Sequence, residues 1–132
     1  MAYASALLRD PARTYRDIDL AGRTATADPA ALVTLLYDEL CGALRVAAWA
    51  AEHRRFEIRS ERVTRATAIL FALEAGLDFE RGGAVSETLA NFYTGVRKEV
   101  LRASLGTEAK PFLDVAASIE EIAAAWKQAR AA

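Results

Sequence analysis

The chain is poor in the residues that most often carry chemistry. It has 132 residues, one cysteine (Cys41) and one histidine (His53). A lone cysteine excludes an intrachain disulfide and fits a reducing compartment. A lone histidine excludes the Glu-x-x-His pairs that hold two metals between facing helices. Excess charge of either sign is also missing. The formal net charge is -1, so nothing steers the chain generally towards nucleic acid or anionic lipid. No long apolar run is uninterrupted: Leu32 to Ala51 contains Asp38, Glu39 and Arg45, which excludes membrane insertion of that stretch. The opening "MAYASALLRDPARTY" has no basic leader region, and Arg9 and Asp10 break its short apolar run. No secretory signal is expected from it, and a cytoplasmic location is.

Helical periodicity is abundant, and no segment shows the alternation of a strand. Residues 1–25 hold Pro11, Gly22 and scattered apolar side chains (Tyr3, Leu7, Leu8, Tyr15, Ile18, Leu20) without sustained period. They are expected to form a flexible N-terminal arm, with residues 26–132 forming one bundle domain. The first helix opens at Asp28, a good N-cap, and Pro29, which suits the first helical position. Leu32, Leu35, Leu36, Leu40, Ala43, Leu44, Ala47 and Ala51 share one side of it, widened by Val33 and Tyr37. That stripe spans roughly 200°, against a minimum of about 100° for a helix facing one core. The helix should touch more than one neighbour, or a partner as well. It ends near "EHRRF".

A second helix is expected from about Ile58 to Gly76, striped by Val63, Ala66, Leu70, Leu73 and Leu77, with Phe71 off the stripe. "LDFERGG" ends it, and Gly82-Gly83 supplies a permissive turn. A third, about Ala84 to Leu105, carries Val85, Leu89, Phe92, Val96 and Val100, with Tyr93 at the edge. A fourth, about Pro111 to Ala129, carries Phe112, Val115, Ile119, Ile122, Ala123 and Trp126. Four helices with short connections predict an all-α, antiparallel four-helix bundle.

Catalytic patterns are sparse. Asp38 and Glu39 are adjacent, so on a helix they diverge by about 100° and cannot face one substrate together. Asp38 falls on the polar side, near Arg45 on the wheel. Glu39 falls inside the apolar stripe, where an unpaired carboxylate is costly. It should pair with an arginine of another helix, with Arg97 or Arg102 as candidates. No base or nucleophile is placed with either acid, so an enzyme is not expected. His53 leaves one rival class open, a histidine phosphotransfer module. Such modules place the histidine mid-helix with lysine and glycine downstream, whereas "HRRFEI" follows here at a helix end. There the ring more simply complements the helix dipole. "ERGG" lacks the spacing of a phosphate loop. Excess apolar helix surface is what remains, the mark of a module that binds helices or peptides.

Several blocks together resemble a known family. "TADPAALVTLLYDEL" (26–40) resembles the Thr-Ala-Ser-Pro and Leu-Tyr-Asp opening of helix 1 in the flagellar secretion chaperones of the FliS family. "LDFERGG" followed by "TLANFY" is similar to that family's Leu-Asp, Gly-Gly, Asn-Leu, Leu-Tyr block, and Trp126 after "EEIAAA" resembles its closing tryptophan. Three positions depart: Asp28 replaces serine, Glu39 stands where glycine is frequent, and Phe92 where leucine is common. The resemblance implies a nonenzymatic, cofactor-free cytosolic chaperone. Such a chaperone binds the disordered C-terminal segment of flagellin, prevents premature polymerisation and assists delivery to the export apparatus. Another flagellar regulator is a further possible partner. Candidate flagellin-binding residues on this reading are Tyr15, Ile18, Tyr37, Leu40, Phe71, Leu89, Phe92, Tyr93 and Val96.

Overall fold

The computed structural model describes residues 28–131. Tyr15 and Ile18, and with them the expected arm, lie outside the described residues. Five helices follow in order: α1 Pro29–Glu52, α2 Phe56–Ala75, the one-turn α3 Phe79–Gly82, α4 Ala84–Ala103 and α5 Lys110–Ala131. The expected second helix begins two residues earlier, at Phe56, and "FERG" is a helical turn rather than a simple stop.

Local chemistry sets the boundaries. Asp28 accepts from the Ala31 amide at 2.7 Å with Pro29 just inside α1, so one unpaired N-terminal donor is satisfied. The helix closes at Glu52. Arg54 follows in the left-handed region (φ 56°), which reverses the chain into α2. Arg54 and Arg55 of "EHRRF" therefore lie just beyond it. Asp78 caps α3 by accepting from the Arg81 amide at 3.0 Å.

Both glycines at the end of α3 answer a steric demand. A Cβ on Gly82 would stand 2.0 Å from Ser86 Oγ, and Ser86 is buried and donates to the Asp78 carbonyl at 2.8 Å. Gly83 sits at φ 49°, ψ -121°, a region closed to side-chain-bearing residues. Gly83→Ala should therefore lower stability by about 1 kcal/mol or more in denaturant titration.

The major helices run up and down. α1 packs on α2 and α5, α2 on α4, and α4 on α5. The pairings fix the antiparallel sense. Thr34 near the start of α1 accepts from Trp126 near the end of α5 (3.1 Å), while Arg45 further along α1 pairs with Glu120. On the other side Glu74 meets Arg97, while Arg59 at the start of α2 donates to the Gly106 carbonyl beyond α4. α1 buries about half its circumference, from Leu32 and Leu36 through Leu40 and Leu44 to Cys41 and Ala48. Two flanking helices and the core between them use the whole of that broad face.

One polar expectation resolves differently. Glu39 does pair with an arginine of another helix, but it is Arg65 of α2 (3.5 Å), not Arg97 or Arg102. The edge of the α1 stripe that carries Glu39 borders α2, and α4 lies diagonally opposite. Arg97 is instead taken by Glu74. Asp38, on the polar side of α1 as expected, pairs with Lys127 of α5 at 3.7 Å. Both members of the Glu39–Arg65 pair keep some contact with water, at 24% and 19% side-chain exposure. Glu39→Gln is thus expected to cost about 0.5–1 kcal/mol in chemical denaturation, less than a sealed ion pair would.

Candidate functional site

The site residues read from the sequence divide into two groups. Tyr37, Leu40, Tyr93 and Val96 are interior. Tyr37 of α1 and Tyr93 of α4 reach across the bundle and share a hydroxyl–hydroxyl hydrogen bond of 2.6 Å. Burial raises both phenol pKa values above the ordinary 10.0, so both rings stay neutral well into the alkaline range; the hydrogen bond from Tyr93 partly offsets the rise at Tyr37. Cys41 is interior as well, its thiol pushed up by burial and pointing towards the Ala116 carbonyl. A raised thiol pKa keeps it in the inert form.

The second group is at the surface. Leu89 and Phe92 of α4 are half-buried and pack on the core edge, as do Ile122 and Trp126 of α5. Phe71 of α2 is 52% exposed, off its helix's buried face as the wheel indicates, with the Arg97 guanidinium 4.1 Å above its ring. These residues lie on the two flanks of α4.

The sequence reading missed several partners of this surface. Val85 at the start of α4 is 67% exposed. Leu101 follows Arg97 one turn on, so it continues the flank that faces Phe71, and Leu105, in the turn just beyond α4, is 86% exposed. Phe56, also exposed, lies at the same end, because Arg59 sits over its ring at 4.5 Å while donating to Gly106 next to Leu105. The available signal was the surplus of apolar residues in "EVLRASL" over what the Val96–Val100 stripe requires. Trp49 of α1 is exposed as well and stacks on His53 with centroids 4.6 Å apart.

His53 is the C-cap of α1, with Nδ1 2.8 Å from the Trp49 carbonyl. It stands at the helix end anticipated from "EHRRF", with its ring against an aromatic face. Among the described residues no group of three or more His, Cys, Asp and Glu side chains could hold a metal ion. None of the described helices is long and apolar enough to cross a membrane. The open clefts are charge-lined: one at the α4–α5 turn holds Arg102, Glu108, Lys110 and Asp114.

The described residues thus form an up-and-down helical bundle that leaves large apolar side chains at its surface on several helices. A family model described as flagellar protein FliS matches residues 11–132. The flagellar secretion chaperone FliS of Salmonella typhimurium is 29% identical over 117 residues, covering 88% of this chain and 87% of its own. That of Vibrio cholerae serotype O1 is 23% identical over 121 residues, covering 92% and 89%. The chain belongs to the FliS family of flagellar secretion chaperones.

Proposed function

We propose that this chaperone binds the disordered C-terminal segment of flagellin in the cytosol, holds it back from polymerisation and helps deliver it to the export apparatus. The observation that carries the reading is the set of large apolar side chains left at the surface on and beside α4 (Phe71 of α2, Val85 and Leu101 of α4, with Leu89 and Phe92 half-buried), after the bundle has packed its own core. An unfolded amphipathic segment laid there gains about 25 cal/mol for each Å2 of apolar surface buried, less the entropy of ordering. Phe71, Leu89 and Phe92 would contact the client directly. Tyr37, Leu40, Tyr93 and Val96 would act from beneath, by holding α4 at its depth. The chemistry needs no catalytic group, metal or cofactor.

Co-purification from flagellated cells tests the reading. Full-length flagellin is expected to be retained, and flagellin lacking its C-terminal segment to be lost. His53→Ala should leave retention unchanged, since its ring stacks on Trp49 of α1 rather than on Phe71, Leu89 or Phe92. Retention of the truncated flagellin would contradict the proposal.

The N-terminal arm is proposed to act on binding rather than on folding, with Tyr15 and Ile18 as its anchors. A chain beginning at Thr24 should keep its helical circular dichroism and most of its Tm while its flagellin affinity changes. Loss of the fold, or an unaltered affinity, would refute this role.

A further inference from the structure

α1 packs on α2 and α5 through one half of its circumference, and the opposite half carries a second seam. Leu35, Glu39, Gly42, Val46, Trp49 and His53 follow one another at alternating steps of four and three residues, the spacing of a coiled-coil face. Val46 is 39% and Trp49 46% exposed, and Leu35 is half-buried. Glu39, the one acid in the seam, is already paired with Arg65.

The middle of the seam is a glycine. Gly42 lies well inside a helix of 24 residues, where glycine is the poorest helix former after proline. No described neighbour requires it there. A Cβ at Gly42 would meet nothing within 4 Å, unlike one at Gly82. What the missing Cβ permits is the close approach of a backbone from outside the chain. Gly95 of α4 is equally open, but the residues seven positions to either side of it are Thr88 and Arg102, on a solvated face. For Gly42 they are Leu35 and Trp49.

That symmetry selects the occupant. Because Leu35 and Trp49 are equidistant from Gly42, two copies of α1 crossing antiparallel at Gly42 bring Leu35 of each against Trp49 of the other. Asp38 and Arg45 both lie on the α5 side of the seam, where they meet Lys127 and Glu120. One stands four residues before Gly42 and the other three after it. A two-fold axis across the helix therefore sets Asp38 of each copy beside Arg45 of the other, on the same flank. Both side chains, 53% and 56% exposed, can reach a second partner. A parallel crossing would instead set each charge level with its own copy. We infer that α1 pairs antiparallel with α1 of a second copy of this chain, about a two-fold axis at Gly42. The inference goes beyond the flagellin reading and does not rest on it, since α4 lies diagonally across the bundle and stays open in both copies. Leu35 to Trp49 spans about 21 Å of helix, a contact at the small end for a stable interface, so the dimer forms and dissociates with concentration.

Sedimentation velocity of the full chain over a concentration series tests the pairing, and a monomer–dimer equilibrium is expected. Trp49→Ala should weaken it by about tenfold or more, as for a central aromatic anchor, with little change in Tm. Gly42→Ala should weaken the dimer yet raise Tm, because alanine favours the helix and meets no atom there. The register has its own test. Gly42→Cys in a Cys41→Ala background should oxidise to a disulfide-linked dimer, since the axis brings the two Cα atoms within the roughly 7 Å that a disulfide can bridge. Arg45→Cys in the same background should not, because the two copies of position 45 stand about 9 Å apart along the helix. A chain that stays monomeric throughout, a dimer that Trp49→Ala leaves intact, or one that the cysteine at position 42 does not link would overturn the inference. So would pairing seen only in a chain beginning at Thr24, because residues 1–23 would then be what covers this face. Flagellin binding by the Trp49→Ala chain is expected to match the native one. Failure of the dimer with flagellin still bound, or the reverse, tells the two readings apart.

Discussion

Replacing Tyr93 by phenylalanine is expected to destabilise the chain by about 1–3 kcal/mol, and replacing Tyr37 as well to return most of that loss. Each hydroxyl is the other's partner at 2.6 Å, and both side chains are almost wholly inaccessible to water. A single Tyr→Phe change leaves a buried hydroxyl with nothing to bond, which costs more than the hydrogen bond contributes. The double change removes both groups together and leaves an apolar contact of nearly the same shape. Denaturant titration of the four species gives the coupling directly. The pair also has a pH signature. Burial raises the folded-state phenol pKa values above 10.0, so the stabilisation is fully present below pH 10. It is lost as pH climbs from there towards the raised folded values, because the unfolded chain releases those protons first. The Tyr37→Phe/Tyr93→Phe chain should be less sensitive to pH above 10 than the native one.

Phe112→Ala and Phe71→Ala should have opposite consequences. Phe112 is completely buried, and its removal leaves a cavity costing about 3–5 kcal/mol, enough to lower Tm sharply. Phe71 is half exposed and supports little core. Its removal should move Tm by only a few degrees while weakening flagellin binding by about tenfold or more, as expected for an aromatic anchor. Calorimetric melting and binding titration on both variants separate the two roles. A Phe71 variant that binds like the native chain would remove that residue from the client surface.

How much of this was legible beforehand depends on whether a feature is local. The Asp28–Pro29 start of α1 could be read because capping and fixed φ are properties of adjacent residues. The glycine pair could be read for the same reason, although α3 itself was hidden, since one helical turn has no period to detect. The wheel correctly set Phe71 apart from the α2 stripe. It could not choose Arg65 as the partner of Glu39, because that choice depends on which helix lies beside that edge of α1. The breadth of the α1 stripe was visible, but its cause was not. It is taken up by α2 and α5, and part of the apolar surplus left at the surface lies on α4 and in the turn after it. There it was masked by charged neighbours in "RKEVLRASL", whose arginines and lysine make Leu101 and Leu105 look like an ordinary solvated face. The Tyr37–Tyr93 bond joins residues 56 positions apart on diagonal helices, and no pattern within either helix announces it.

Isothermal titration of the chain with the isolated C-terminal segment of flagellin, repeated at several temperatures, tests the central claim most directly. The account predicts one segment per chain and a negative heat-capacity change, the mark of apolar surface leaving water as the segment folds onto α4. No binding, or binding whose enthalpy does not vary with temperature, would contradict it.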